Sequence, residues 1–434
     1  MSCRMIVGAD KAALDELARL EYKTLYPGIL KQRIPIDRDG VAAVSYDIQA
    51  APTFDLAPRP EWRAERERRA KAALEDADPA TADGIRALLA SGGDSTQVEF
   101  ALESEKVLLT MEASDGSTYT WTARITARSR AAVTAPDIVT LRVESATLAF
   151  IGEHPDKTLE WILNDAVLPV LVQDFNDNFL GSFRLPLQAP GAVFSTPVVA
   201  VQDGVFLVFV STVQDPPAEP LPPGTSWPAG RAFVLMDRDL VDQLIEVALL
   251  DVSKAGQASM ERGGMNFIAS YFLGLRRIRV GHATANPFPA SLEAAGDGTL
   301  QVRAGKYPLR TARFLLQARP RFKASVSIRF PDLEVKLDAV TGQDVKIEFP
   351  WLPKPIEHML EELLAWLNGP VTTLLADLLL LVRNRLHFDI PSLRILLPDV
   401  TLDAALRDVE EMGLIDSTGV SRIGFTGFFV LYPE

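Results

Sequence analysis

Cysteine and histidine are scarce in this chain of 434 residues, which contains one cysteine and four histidines. The single Cys3 excludes an intramolecular disulfide and is compatible with a reducing compartment. The histidines show no HExxH spacing and have no cysteine cluster beside them, so the sequence does not predict a zinc site. We therefore expect no metal and no cofactor.

Motifs for catalysis and nucleotide binding are also absent. The sequence has no GxxxxGK[ST] phosphate loop, no GxGxxG after a strand and no GxSxG nucleophile elbow. We therefore expect a protein that is not an enzyme. A net charge of −13 argues against general affinity for nucleic acid.

The N-terminal residues lack the continuous apolar core and the cleavage-like site of a secretory signal. We therefore expect a cytoplasmic protein, or one exported without an ordinary signal peptide.

Two leucine-rich helices, predicted over Lys157–Phe179 and Pro355–Leu386, end in the same way. Each is followed by a short apolar segment with proline, at residues 183–187 and 388–391. Such self-similarity at a long period indicates two copies of one structural unit.

The second of these helices is apolar around most of its circumference. This width fits either a helix buried in an ordinary core or a helix that lines an apolar cavity. Glu361, Glu362 and Asp377 interrupt its apolar residues, and Gly369-Pro370 is expected to kink or break it. No run reaches the roughly 18 apolar residues of a membrane span. We therefore do not expect a membrane span.

Both halves of the chain show the same order of elements: a helix, an antiparallel meander, the long helix and closing strands. The first helices of the halves are predicted at Asp10–Lys31, with Asp10 as N-cap, and at Asp237–Leu250. The first meander is predicted at Val41–Phe54, Gln97–Met111, Thr118–Ala127 and Ile138–Phe150, with a hairpin turn at Ser114–Ser117. The second is predicted at Arg276–His282, Thr299–Arg303, Arg313–Gln317, Phe322–Phe330, Leu333–Leu337 and Val345–Phe349. This order predicts the α+β class and argues against a doubly wound nucleotide-binding sheet.

Five prolines between Pro216 and Pro223 predict an extended, semi-rigid linker at 215–228. The expected domains are therefore 1–214 and 229–434. Residues 59–89, rich in Ala, Arg and Glu, are predicted to form a helical insertion on the surface of the first domain.

The architecture resembles the tubular lipid-binding (TULIP) superfamily, in the style of bactericidal/permeability-increasing-type proteins. Local similarity is carried by Leu163-Asn164, Leu168-Pro169, Asn178-Phe179, the Leu185–Leu187 exit and the Asp203-Gly204 turn. The resemblance implies two tandem units, each a long curved antiparallel sheet wrapped around a long helix. Without the signal peptide and disulfide of the secreted members, the chain is more similar to bacterial relatives, including accessory proteins of clostridial toxin clusters.

The function expected from this resemblance is lipid binding, as carrier or sensor, with acyl chains or another apolar ligand held in a tubular cavity. Helical spacing selects the lining residues Leu163, Leu168, Leu171, Phe175, Phe179, Leu360, Leu364, Leu367, Leu375 and Leu379. The alternative is a non-enzymatic scaffold or accessory subunit with a closed cavity, working with a protein partner. The charged insertion at 59–89 and an aromatic cluster at 425–432 favour that alternative.

Basic residues are concentrated between Arg262 and Arg329, a stretch that contains twelve basic residues and only two acidic ones. This stretch is either the solvated outside of a sheet or a cationic face that meets an anionic membrane surface or an acidic partner. In the second interpretation contact is peripheral and reversible. The residues predicted to make it are Arg303, Lys306, Arg310, Arg313, Arg319, Arg321 and Lys323.

Overall fold

The computed structural model describes most of the chain. The described residues are 3–57 except 27, 29 and 39, then 59, 61, 62, 64, 68, 97–178, 181–185, 187, 192–249, 252–280, 288–329, 332–337, 345–351, 359–385, 387–389, 393–397 and 400–433. Most of the insertion predicted at 59–89 lies outside them, as does Phe179.

The protein belongs to the α+β class, as predicted, and every strand pair within the described residues is antiparallel. The strands form two sheets. The larger has fourteen strands. In chain order they are β1 (Met5–Asp10), β2 (Lys31–Arg38), β3 (Val41–Ile48), β4 (Thr53–Asp55), β5 (Gln97–Ala113), β6 (Thr118–Ala135), β7 (Ile138–Ile151), β8 (Ser182–Arg184), β9 (Val198–Gln202), β10 (Val205–Val210), β11 (Ala232–Asp237), β20 (Leu393–Leu396), β21 (Thr401–Ile415) and β22 (Ser421–Pro433).

The smaller sheet has eight strands and comes entirely from the second half of the chain. They are β12 (Ser253–Arg262), β13 (Met265–Val280), β14 (Phe288–Ala304), β15 (Tyr307–Ala318), β16 (Arg321–Arg329), β17 (Asp332–Leu337), β18 (Val345–Glu348) and β19 (His387–Asp389).

The described helices are α1 (Lys11–Leu25), α2 (Lys157–Ile162), α3 (Leu168–Asn178), α4 (Arg238–Leu249) and α5 (Leu360–Arg385). A π-helical turn at Leu163–Val167 joins α2 to α3, so the first predicted long helix is continuous. Asp10 caps α1, as predicted, by accepting a hydrogen bond of 2.9 Å from the Ala13 N–H. Gly369-Pro370 does not break α5, since one helix includes Pro370 in its interior.

Turn positions predicted from the sequence are present. Residues Ser114–Ser117 join β5 to β6, with Gly116 at φ 88°. Asp203 and Gly204 join β9 to β10 and both have positive φ, as a two-residue hairpin turn with the twist of the sheet requires.

Pairing in the larger sheet crosses the proline-rich segment 215–228. β1 lies between β10 and β11, β11 pairs with β22, and β8 pairs with β20. The predicted ranges 1–214 and 229–434 therefore contribute strands to one sheet.

The proline-rich segment is itself packed against that sheet. Ala218 and Leu221 are buried with Ile6, Leu207 and Phe233 on one face of β1, β10 and β11. The segment is thus extended, as expected, but it covers the sheet.

The long helices pack on different sheets. The helix formed by α2, the π turn and α3 lies on β3, β5, β6 and β7 of the larger sheet. Asn176 fixes it there, donating to the Val143 carbonyl at 2.9 Å and accepting from the Val143 N–H at 2.8 Å. α5 packs on the smaller sheet through residues that include Leu363, Leu367 and Leu375, all without exposed surface.

α5 is also the one helix of the described residues that is long and apolar enough to cross a membrane, over Leu360–Leu381. Its apolar residues face two ways. Leu363, Leu367 and Leu375 are covered by the smaller sheet, while Leu380 is 56% exposed. Packing along one whole side is typical of the core helix of a folded domain.

Candidate apolar binding site

An apolar cavity lies between α1 and the face of the larger sheet opposite the proline-rich segment, which we call the inner face. The sheet curls, so that β9 at one end of it comes close to β5 and β6. The cavity has a volume of about 130 Å³. Its lining comes from α1 and from strands on both sides of the proline-rich segment. The residues are Val7, Gly8, Ala9, Leu14, Leu17, Ala18, Glu21, Pro52, Phe54, Phe100, Leu102, Val139, Leu141, Gly181, Phe183, Leu185, Phe206, Val208, Ala232, Phe233, Val234, Leu393, Ile395, Ala404, Leu406, Phe425 and Phe429.

Helix α1 covers the cavity with one face. Leu14, Leu17, Ala18 and Glu21 follow the spacing of three and four residues that puts side chains on the same side of a helix. The helix is held at its start by the Asp10 cap and to β4 by Asp15, which accepts a hydrogen bond of 2.7 Å from the Phe54 N–H. These contacts fix the position of the lining face.

The opposite wall is built across the junction between the two halves of the chain. Phe183 of β8 pairs with Ile395 of β20, and Leu393 of β20 pairs with Ala404 of β21. All four side chains line the cavity. Neither half of the chain could form this wall alone.

Gly8 in β1 permits close packing on the face of the sheet that the proline-rich segment covers. A Cβ atom built on Gly8 would lie 2.3 Å from the ring of Phe233, which is closer than carbon atoms approach in proteins. The missing side chain thus lets the Phe233 ring lie against the backbone of β1.

Glu21 is the one ionisable residue in the lining. No hydrogen bond or ion pair joins its carboxyl group to any of the described residues, and burial raises its pKa to about 8. The neutral form is therefore favoured in the folded protein. Any stability from this shift is complete below the ordinary value of 4.5 and is lost as the pH rises through about 8.

The cavity is small and its lining is mostly apolar. An engineered apolar cavity of about 150 Å³ stays dry and binds benzene, whereas pockets for drug-sized ligands begin at about 300 Å³. In this conformation the site therefore accepts one ring or a short piece of an acyl chain.

The residues predicted from helical spacing do not line this cavity. Leu163 and Leu171 are buried in the packing of the α2–α3 helix on the larger sheet, Phe175 packs beside them, and Leu168 is buried. On α5, Leu367 and Leu375 are core residues of the smaller sheet, Leu379 packs at the edge of that core, and Leu360 and Leu364 are half-buried. A lining role of these residues in another cavity stays a prediction.

Sequence reasoning missed the face of α1. The sequence does contain a signal for this face. Leu14, Leu17 and Ala18 follow helical spacing, and Glu21 is an acidic residue on the same face. The strands of the wall carried no local signal, since their partners are up to about 230 residues away in the chain.

The predicted anionic-surface residues lie on the smaller sheet. Lys306, Arg310, Arg313, Arg319 and Arg321 are exposed and Arg303 is half-buried, while Lys323 is a residue of β16. Arg319 forms an ion pair of 3.0 Å with Glu293, and Arg303 donates to Gln301. Within the described residues, no group of three or more His, Cys, Asp or Glu side chains could hold a metal ion.

No protein-family model matches the chain, and no curated protein is significantly similar to it in sequence. The chain is similar in fold to several solved structures, among them two P47 proteins and a lipopolysaccharide binding protein. P47 of Clostridium botulinum E1 has 8% identity and a TM-score of 0.40, covering 98% of this chain and 99% of that one. A lipopolysaccharide binding protein has 9% identity and a TM-score of 0.37, covering 99% of each chain.

P47 from Clostridium botulinum A2 has 9% identity and a TM-score of 0.38, covering 98% of this chain and 97% of that one. These likenesses span nearly the full length of the chains, at identities and TM-scores that do not define a shared family or function.

Proposed function

We propose that the protein binds a small apolar ligand, or the end of an acyl chain, in the cavity between α1 and the inner face, as a carrier or sensor and without catalysis. The observation that carries this proposal is an apolar lining with a single ionisable group. Each methylene group moved from water into such a site contributes about 0.8 kcal/mol. The tandem-unit architecture is a further proposal, supported by one long helix on each sheet.

Native mass spectrometry of the purified protein, with organic extraction and analysis of the extract, tests the function. The expected result is the release of about one apolar molecule per protein molecule. A protein free of apolar ligand that also fails to bind added toluene would favour the scaffold interpretation.

Filling the cavity from α1 should abolish binding. Ala18 is buried and lines the cavity, so Ala18→Leu places three additional carbon atoms inside it. We expect the affinity for toluene, measured by calorimetry, to fall at least about tenfold, because the space for the ligand is occupied.

Ala12→Leu is the matched control, since Ala12 is exposed on the same helix and does not line the cavity. Equal affinity of both variants and the unmodified protein would contradict binding at this cavity.

We also propose that the hairpin β14–β15 contacts an anionic membrane surface. Tyr307 is 78% exposed and Leu309 is 53% exposed at its tip, and Lys306 and Arg310 are exposed beside them. Apolar side chains flanked by cations suit the headgroup region of a bilayer, where each cation contributes about 1 kcal/mol.

Charge reversal at the hairpin should weaken this contact. In flotation with vesicles of phosphatidylcholine plus about a third phosphatidylserine, Lys306→Glu with Arg310→Glu is expected to reduce binding at least tenfold at low salt. Lys23→Glu with Lys106→Glu changes the net charge equally at exposed sites elsewhere and should matter little. Equal losses in both variants would show a net-charge effect only.

A further inference from the structure

Glu21 places a carboxyl group against an otherwise apolar cavity. It lies on the lining face of α1, one turn after Leu17 and Ala18, and the residue is half-buried among apolar neighbours.

Charged groups on the elements around α1 are engaged elsewhere or exposed. On α1, Lys11 pairs with Asp15 and Arg19 pairs with Glu16, and Lys23 is exposed. Asp10 of β1 caps the helix, Asp55 of β4 pairs with Arg59, and Arg422 of β22 pairs with Asp416, while Tyr432 of β22 is half exposed. Burial is the one cause of the altered pKa of Glu21, so none of these groups determines its charge.

A neutral carboxyl group has one O–H donor, and Glu21 is the one ionisable residue among those that line the cavity. A ligand that brings an acceptor into this apolar lining can therefore form a hydrogen bond with that donor. An ester or ketone oxygen accepts and cannot donate, so it suits the neutral acid and does not suit the carboxylate.

We propose that Glu21 is the polar recognition group of the cavity, donating a hydrogen bond to the carbonyl oxygen of a neutral apolar ester or ketone. This inference rests on the proposed function and assigns it a ligand class. Such a ligand has an apolar end in the cavity and an acyl-ester or keto group at Glu21.

The raised pKa supports this assignment and gives it a pH dependence. Below about pH 8 Glu21 is protonated and donates, and above that value the carboxylate can no longer donate to a carbonyl. Selectivity for a carbonyl should therefore be present at lower pH and lost as the pH rises.

Calorimetry with two probes of nearly the same shape tests the proposal. Acetophenone has a carbonyl oxygen where α-methylstyrene has a methylene group. At about pH 6 we expect acetophenone to bind about fivefold more tightly, and at about pH 9.5 we expect the two affinities to be equal within about twofold.

Two variants separate recognition from folding. Glu21→Gln keeps an N–H donor without a titratable group, so it should prefer acetophenone at both pH values. Glu21→Leu removes both the donor and the titratable group, so it should show no preference for acetophenone at either pH value. A ratio of affinities is insensitive to a modest loss of folded protein.

The outcomes are distinct. If neither probe binds, the proposed function fails. If both bind but the preference does not depend on pH or on Glu21, the carbonyl assignment alone is overturned. Tighter binding of benzylamine than of acetophenone near neutral pH would also overturn it, since the site would then recognise a cation through the carboxylate.

Discussion

Replacing Asp416 by Ala is expected to lower the free energy of unfolding by about 3–5 kcal/mol, because the substitution leaves a buried charge without its partner. The Arg422 Nε lies 2.8 Å from Asp416 Oδ2, and the two side chains are 2% and 0% exposed. Arg422 also donates to the Cys3 carbonyl at 3.0 Å, which ties β22 to the start of the chain. Asp416 further accepts from the N–H groups of Thr418 and Val420 in the turn before β22.

Chemical denaturation of Asp416→Ala is the measurement, and Glu410→Ala is the matched control. Glu410 pairs with Arg231 at 2.6 Å but is 66% exposed, so its loss should change stability by about 0–1 kcal/mol. Similar effects of both substitutions would contradict the special role of the buried pair.

The free energy of unfolding lost in Asp416→Ala should depend on pH, and this dependence follows from the pKa of Asp416. Burial alone would raise this pKa, but hydrogen bonds from Thr418 and Arg422 outweigh burial and lower it below the ordinary value of 3.8. The stabilisation is therefore complete above that value and is lost as the pH falls through the lower folded value. The difference in free energy of unfolding between the unmodified protein and Asp416→Ala should be constant near neutral pH and become smaller in acid.

Replacing Leu367 by Ala is expected to lower the free energy of unfolding by about 2–5 kcal/mol and to leave the affinity for toluene unchanged. Leu367 has no exposed surface and packs in the core between α5 and the smaller sheet. Truncation should leave a void in that core, while the cavity beneath α1 has a separate lining.

Leu380→Ala on the same helix is the control, since Leu380 is 56% exposed and should contribute little. Calorimetry and denaturation together decide between core and cavity. A Leu367→Ala protein of normal stability and weakened toluene binding would show that α5 lines a ligand site.

Local features could be predicted from the sequence because local physical chemistry determines them. The Asp10 cap, the Ser114–Ser117 turn and the Asp203-Gly204 turn all depend on residues within a few positions. The leucine-rich helices were also predicted. The sequence did not decide whether their apolar side chains pack in an ordinary core or line a cavity. The buried position of Leu367 agrees with the core interpretation.

Which strands pair with one another in the two sheets could not be predicted in the same way. An alternating strand shows that it has an apolar face but does not identify its partner. The pairing of β8 with β20 and of β1 with β11 joins distant segments, and it is this pairing that builds the cavity wall. Glu21 gains its significance from that wall, so its role became visible only in the folded chain.

Anomalous diffraction from crystals soaked in bromobenzene tests the central claim most directly, because it locates the bound molecule. We expect a bromine peak between α1 and the inner face, in contact with Leu17, Leu141 and Phe183, and we expect this peak to be absent in Ala18→Leu. A peak beside Leu360, Leu364 and Leu379 of α5, or no peak in the unmodified protein at saturating bromobenzene, would contradict the account.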